Sequence, residues 1–168
     1  MIHCSTPLTM RYKDIDELKR NGFVGFKTVA EMQNGGCREL PKPGGVYIIV
    51  RPVNTKPQFL AIGSGGHFKG NNPNVSLEVL KENWIDDTCV VYIGKATSLK
   101  TRVSAYMRFG RGSNVGHWGG RLIWQLADAD SLLVCWKETK ENPRDVEKNM
   151  IKDFRDQYGA WPYANLQS

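Results

Sequence analysis

The chain has no run of about 18 apolar residues, so no segment is long enough to cross a bilayer as a helix. Residues 1–10 lack a basic cluster followed by an apolar stretch, and no signal peptide is expected. Cysteines are few: Cys4, Cys37, Cys89 and Cys135 form no C-x-x-C pair, and their spacing fits no zinc module. Cys89 and Cys135 sit in apolar, strand-like runs, where a free thiol behaves as a small hydrophobe. Unpaired thiols of this kind point to a reducing, cytoplasmic setting. No Ser/His/Asp nucleophile motif or paired carboxylates can be picked out, and His3 and His67 have no evident partner. The glycines of residues 63–70 lack the Gly-Lys-Ser/Thr ending and the immediate helix of a phosphate loop, which excludes a nucleotide site of that type.

Acidic residues are missing from one place in particular. Residues 95–127 contain no Asp or Glu but six basic side chains: Lys95, Lys100, Arg102, Arg108, Arg111 and Arg121. The rest of the chain balances 17 basic against 17 acidic residues, so the whole net charge of +6 is local. A field of one sign confined to one segment favours a polyanion such as nucleic acid, although a solvated basic helix face would have the same composition. At 168 residues the chain suits one domain with a real core.

Periodicity supplies the elements. Residues 12–20 read as a short polar helix stopped at Asn21-Gly22, and 23–32 as a second amphipathic segment. Residues 46–50 are an apolar, β-branched run, hence a buried strand, ended by Arg51-Pro52. A short strand is expected at 59–62, a short helix at 76–84 and a second principal strand at 89–93. Thr97-Ser98 can cap a helix whose stripe is Leu99, Val103, Tyr106 and Met107, closed by Gly110-Arg111-Gly112. Residues 117–126 read as a further helix and 131–136 as the third strand. Asn142-Pro143 has the form of an N-cap followed by proline in the first turn; the helix it opens shows Val146, Met150, Ile151, Phe154 and Tyr158 on one face and stops at Gly159.

Several polar residues depart from this pattern. Glu147 precedes Met150, Ile151 and Phe154 at helical spacing, which puts a carboxylate on the apolar side of its helix, a costly position unless it is paired or bound to a cation. Arg102 and Tyr106, four apart, share a helix face; the guanidinium suits bidentate phosphate contact. Lys95 stands at a strand-to-helix turn, where an ammonium and backbone N–H groups can hold an anion. His117 lies among glycines, free to shuttle a proton or simply to cap or fill the core.

Gly45-Val46-Tyr47 and Tyr92-Ile93-Gly94, in this order and followed by Arg102, Tyr106, Glu147 and Asn165, resemble the GIY-YIG nuclease family. Valine replaces isoleucine in the first motif; the second is complete, and Lys95-Ala96 extends it as in repair-type members. The resemblance covers roughly residues 44–165. It implies an α+β fold: a small, mainly antiparallel three-stranded sheet flanked by helices that bring Arg102 and Glu147 over one face. Residues 1–43 would then be an N-terminal helical extension packed on the core, and residues 44–168 the nuclease domain. Family members usually join the two tyrosine strands by a short turn, whereas here residues 51–88 intervene as an insertion.

The activity implied is metal-dependent hydrolysis of DNA phosphodiesters, RNA not excluded, with one Mg²⁺ or Mn²⁺ held by Glu147. Tyr47 or Tyr92 would take the proton of the attacking water, Arg102 would offset charge on the phosphate, and Tyr106 would orient an oxygen. Gly94, Lys95, Lys100, Arg108, His117, Arg121 and Asn165 are the expected substrate-side residues. The alternative is a nucleic-acid-binding module with weak catalysis or none. Either a monomer or a homodimer is compatible with the sequence.

Overall fold

Residues Gly45–Val50 (β2) alternate between two cores. Tyr47 and Ile49 enter one cluster; Val46, Ile48 and Val50 enter the other, as the two-residue period of a strand requires. All six residues are buried, so β2 is a central strand with both faces covered. The computed structural model describes residues 10–166. His3, Cys4 and the stretch read above for a signal peptide, apart from Met10, lie outside the described residues.

The sheet has four strands rather than three. Val24–Thr28 (β1), β2, Val90–Ala96 (β3) and Leu133–Glu138 (β4) lie in the order β1-β4-β2-β3, and every neighbouring pair is antiparallel. The mixed α+β class is as expected. The additional strand comes from residues 23–32, which divide into β1 and the five-residue helix Val29–Gln33 (α2, numbered after α1, Ile15–Arg20). Thr28 ends the strand and caps α2 through a reciprocal capping box with Glu31. The N-terminal segment thus contributes an edge strand as well as short helices.

Leu77–Asn83 (α3) forms where the spacing put it, capped by Ser76. Leu99–Phe109 (α4), capped by Ser98, covers the face that carries Tyr47 and Ile49, through Leu99, Val103, Tyr106 and Met107. Pro143–Tyr158 (α5), capped by Asn142 and ended by left-handed Gly159, covers the opposite face through Ile151 and Phe154. The helices that carry Arg102 and Glu147 therefore flank the sheet as expected, but on opposite faces rather than over one. Two weaker expectations change form. Residues 59–62 make only an isolated bridge, Phe59 to Leu126, and 117–126 contain a 3-10 turn at Arg121–Gln125 that leaves His117 in the loop before it.

The insertion is tied down by buried polar groups. Gln125, 1% exposed, donates from Nε2 to the carbonyls of Leu60 (3.0 Å) and Val75 (2.9 Å) and accepts from the Val75 N–H (2.9 Å). Arg51, 6% exposed, pairs with Asp128 at 2.8 Å. Each satisfies groups whose burial would otherwise cost free energy. Among the described residues no helix is long and apolar enough to cross a membrane, and Cys37, Cys89 and Cys135 are free thiols.

Candidate active site

The C-terminal end of β3 and the first turns of α4 and α5 enclose a cleft of about 820 Å³. Tyr47, Tyr92, Lys95, Arg102 and Glu147 line it, together with Thr97, Ser98, Thr101, Asn142 and Arg144. Its charged lining is three cations, Lys95, Arg102 and Arg144, against a single carboxylate. Because α4 and α5 pack on opposite faces, Arg102 and Glu147 reach the cleft from either side and meet at the end of the strand.

Local sequence fixes each position. Tyr47 pairs with Gly94 across β2 and β3, and its ring lies over the glycine backbone. Gly94 is thus a seat for Tyr47. Lys95 follows in the ladder, opposite Val46, and extends toward Glu147, with its Nζ 3.7 Å from Oε1. Glu147 keeps 19% of its side chain exposed. Burial raises its carboxyl above the ordinary range, while the Lys95 ammonium opposes part of that shift. The first α4 amides, of Leu99 and Lys100, donate at 3.0 Å to the carbonyls of Pro43 and Pro41 and are not open to an anion.

Beneath the cleft lies a packed aromatic cluster. Tyr47 and Tyr106 are fully buried and Tyr92 is 7% exposed. His117, also fully buried, stacks on Tyr106 with centroids 3.9 Å apart and planes at 4°. Its Nε2 is 2.8 Å from the Tyr47 hydroxyl, and its Nδ1 is 2.8 Å from the Gly119 carbonyl oxygen. The Tyr106 hydroxyl donates to the Gly120 carbonyl (2.6 Å), and Arg102 donates from Nη1 to that of Gly116 (2.8 Å). Burial pushes Tyr92 to about 12, the neighbouring Tyr47 hydroxyl opposing, and drives Tyr47 and Tyr106 well above the usual phenol range. Burial, then the Arg102 charge, lowers His117 to about 3. Near neutrality the cluster is therefore a set of neutral phenols and a neutral imidazole beside one guanidinium.

The remaining expected residues lie elsewhere. His117 contacts Tyr47 and Tyr106 below the cleft rather than its open space. Lys100, Arg108, Arg121 and Asn165 are outside the lining. Arg121 stacks its guanidinium over Trp118 at 4.4 Å. Asn165 bonds both the N–H and the carbonyl of Ile93 at 2.9 Å, fastening the C-terminal tail along β3. Arg144 was not singled out in the sequence, though the Asn142-Pro143 helix start one turn before Glu147 marked its place.

Comparison with known proteins gives one partial likeness. Over 84 residues, 46% of this chain, it is 37% identical to UvrABC system protein C of Mesoplasma florum. The match spans only 13% of that protein's length. No protein-family model matches, and neither does any solved structure.

Proposed function

We propose that this chain is a metal-dependent endonuclease that hydrolyses DNA phosphodiester bonds by GIY-YIG-like chemistry in the cleft at the end of β3. One observation carries the reading: Tyr47, Tyr92, Lys95, Arg102 and Glu147, scattered over a hundred positions of sequence, line a single basic cleft with one carboxylate. The likeness to UvrABC system protein C supports the same direction.

Among the described residues no three His, Cys, Asp or Glu side chains gather as a metal cage. A lone, half-buried carboxylate beside phosphate-binding cations instead suits Mg²⁺ or Mn²⁺, which bind through one or two carboxylates, several waters and the substrate's own phosphate. Glu147 would hold the ion, which when bound polarises the phosphate and offsets charge on the leaving oxygen. Arg102, fixed through Gly116, presents its guanidinium to the same phosphate, where charge grows in the transition state. Lys95 and Arg144 add attraction for the strand. Tyr47 or Tyr92 receives the proton of the attacking water. Burial keeps both as neutral phenols, so the one that acts must first give up its own hydroxyl proton to solvent, a loss that the Arg102 guanidinium and a bound cation would favour.

Incubation of supercoiled plasmid with the folded protein tests this. Nicking or linearisation with Mg²⁺ or Mn²⁺, abolished by EDTA, is expected. Salt-sensitive binding without products, on plasmid and on branched or single-stranded DNA, would make the chain a binding module instead.

A further inference from the structure

We propose that the insertion is a DNA-backbone arm: residues 64–72 carry the basic surface of the cleft onward, and Lys69 and Arg108 hold phosphates of the same DNA beyond the one in the cleft. DNA as the partner rests on the nuclease reading above, but the arm itself is read from binding, without cleavage.

The chain has a second stretch empty of carboxylates. Residues 51–77 hold Arg51, Lys56 and Lys69 but no Asp or Glu, and so match residues 95–127 in that respect. In the fold the two stretches pack on each other. The Gly66 N–H donates to the Phe109 carbonyl at 2.9 Å, at the end of α4. The Lys69 N–H donates to Asn114 Oδ1 at 3.1 Å. A Cβ on Gly66 would collide with the Ser113 carbonyl oxygen, so the insertion lies directly on the loop after α4. Neither side of this seam supplies a negative charge, and a surface of one sign attracts a polyanion.

Contacts join the seam to the cleft. The Lys69 ammonium lies 5.3 Å from the centroid of the Phe68 ring. A Cβ on Gly116 would sit 3.3 Å from that ring, and the Gly116 carbonyl accepts from Arg102 of the cleft at 2.8 Å. Along α4, Thr101 and Ala105 line the cleft, and Arg108 follows on the same face at helical spacing. Lys69 and Arg108 are exposed, and among the described residues neither pairs with a carboxylate. Lys69 also takes φ 54°, a left-handed conformation that glycine or asparagine adopts more readily. The bond to Asn114 holds that turn and sets an ammonium on the seam. Contacts of this kind go to phosphate and read no base.

Equilibrium binding of a short DNA duplex in EDTA, titrated with salt, tests the arm. Each phosphate contact contributes about 0.9 to the steepness of log K against log salt concentration. Lys69→Gln is expected to lower the steepness by about 1, and Lys69→Gln combined with Arg108→Gln by about 2, equally on unrelated sequences. Lys69→Arg should keep the wild-type value, as should Lys152→Ala, which removes an exposed charge of α5 outside the cleft lining. An unchanged slope in Lys69→Gln, or an equal fall in Lys152→Ala, would overturn the proposal. If the double variant does not fold, the single variant decides. A wild type that shows this salt dependence but cuts nothing removes the nuclease reading and leaves the arm standing. A wild type that cuts plasmid while Lys69→Gln keeps its slope removes the arm alone, and one that binds no duplex at low salt removes both.

Discussion

A Cβ placed on Gly94 would fall 2.3 Å from Cζ of Tyr47 and 2.6 Å from its hydroxyl oxygen. The two residues pair across β3 and β2, and the absence of a side chain on one is what lets the ring of the other reach the cleft floor. Gly94→Ala should displace the ring and cost about 1–3 kcal/mol, as overpacking in a core does. Melting temperature should fall by roughly 3–10 °C. Cleavage should be lost even where the variant remains folded, and paired melting and activity assays check both.

Arg102 combines charge with a fixed direction through its 2.8 Å bond to Gly116. Arg102→Lys keeps the charge but loses the planar fork. It should retain low-salt DNA binding while cleavage falls at least about 100-fold, the scale seen when a transition-state donor is removed. Arg102→Ala should abolish cleavage in a protein that stays folded. Binding isotherms and cleavage rates on the same DNA separate the two effects.

Gln125 is the buried anchor of the insertion. In Gln125→Ala the Val75 N–H and the carbonyls of Leu60 and Val75 lose their partner, and each such group costs about 1–3 kcal/mol when it stays buried. Loosening of the loop lowers the total, so urea unfolding should show a loss of about 3 kcal/mol. A change below about 0.5 kcal/mol, usual for surface sites, would mean that the insertion is not held this way.

Glu147 links stability to pH. Burial outweighs the Lys95 ammonium at 3.7 Å, so the folded carboxyl binds its proton more tightly than the unfolded one. That contribution is fully present below the unfolded carboxyl pKa, roughly 4, and is lost as pH rises through the elevated folded value. In EDTA, Glu147→Gln should therefore melt above the wild type at neutral pH, and the gap should close on acidification. The opposite order at neutral pH would show that the Lys95 pair dominates.

Much of this was legible because the signals are local. The β-branched run of β2, the Ser98 cap, the Asn142-Pro143 start and left-handed Gly159 each act within a turn or a strand. The strand β1 was not, because Gly25 at φ 97° and Phe26 at φ 55° bend it into a bulge that breaks the two-residue alternation. The Thr28–Glu31 capping box within 23–32 was a readable sign that a helix starts there and that what precedes it is something else. Tyr47, Tyr92, Arg102 and Glu147 do line one cleft, whereas Tyr106 is buried outside its lining. His117 and Asn165 were grouped with the substrate contacts, yet one supports Tyr47 from below and the other binds a strand edge. Both placements depend on chain segments 70 or more residues away, and nothing local encodes them.

The most direct test of the account is single-turnover cleavage of end-labelled DNA by wild type and Glu147→Ala, with folding matched by circular dichroism and DNA binding measured alongside. The account predicts metal-dependent products from the wild type and none from the variant, which should still bind DNA through Lys95, Arg102 and Arg144. Equal cleavage by both proteins, or none by a well-folded wild type with Mg²⁺ or Mn²⁺, would contradict it.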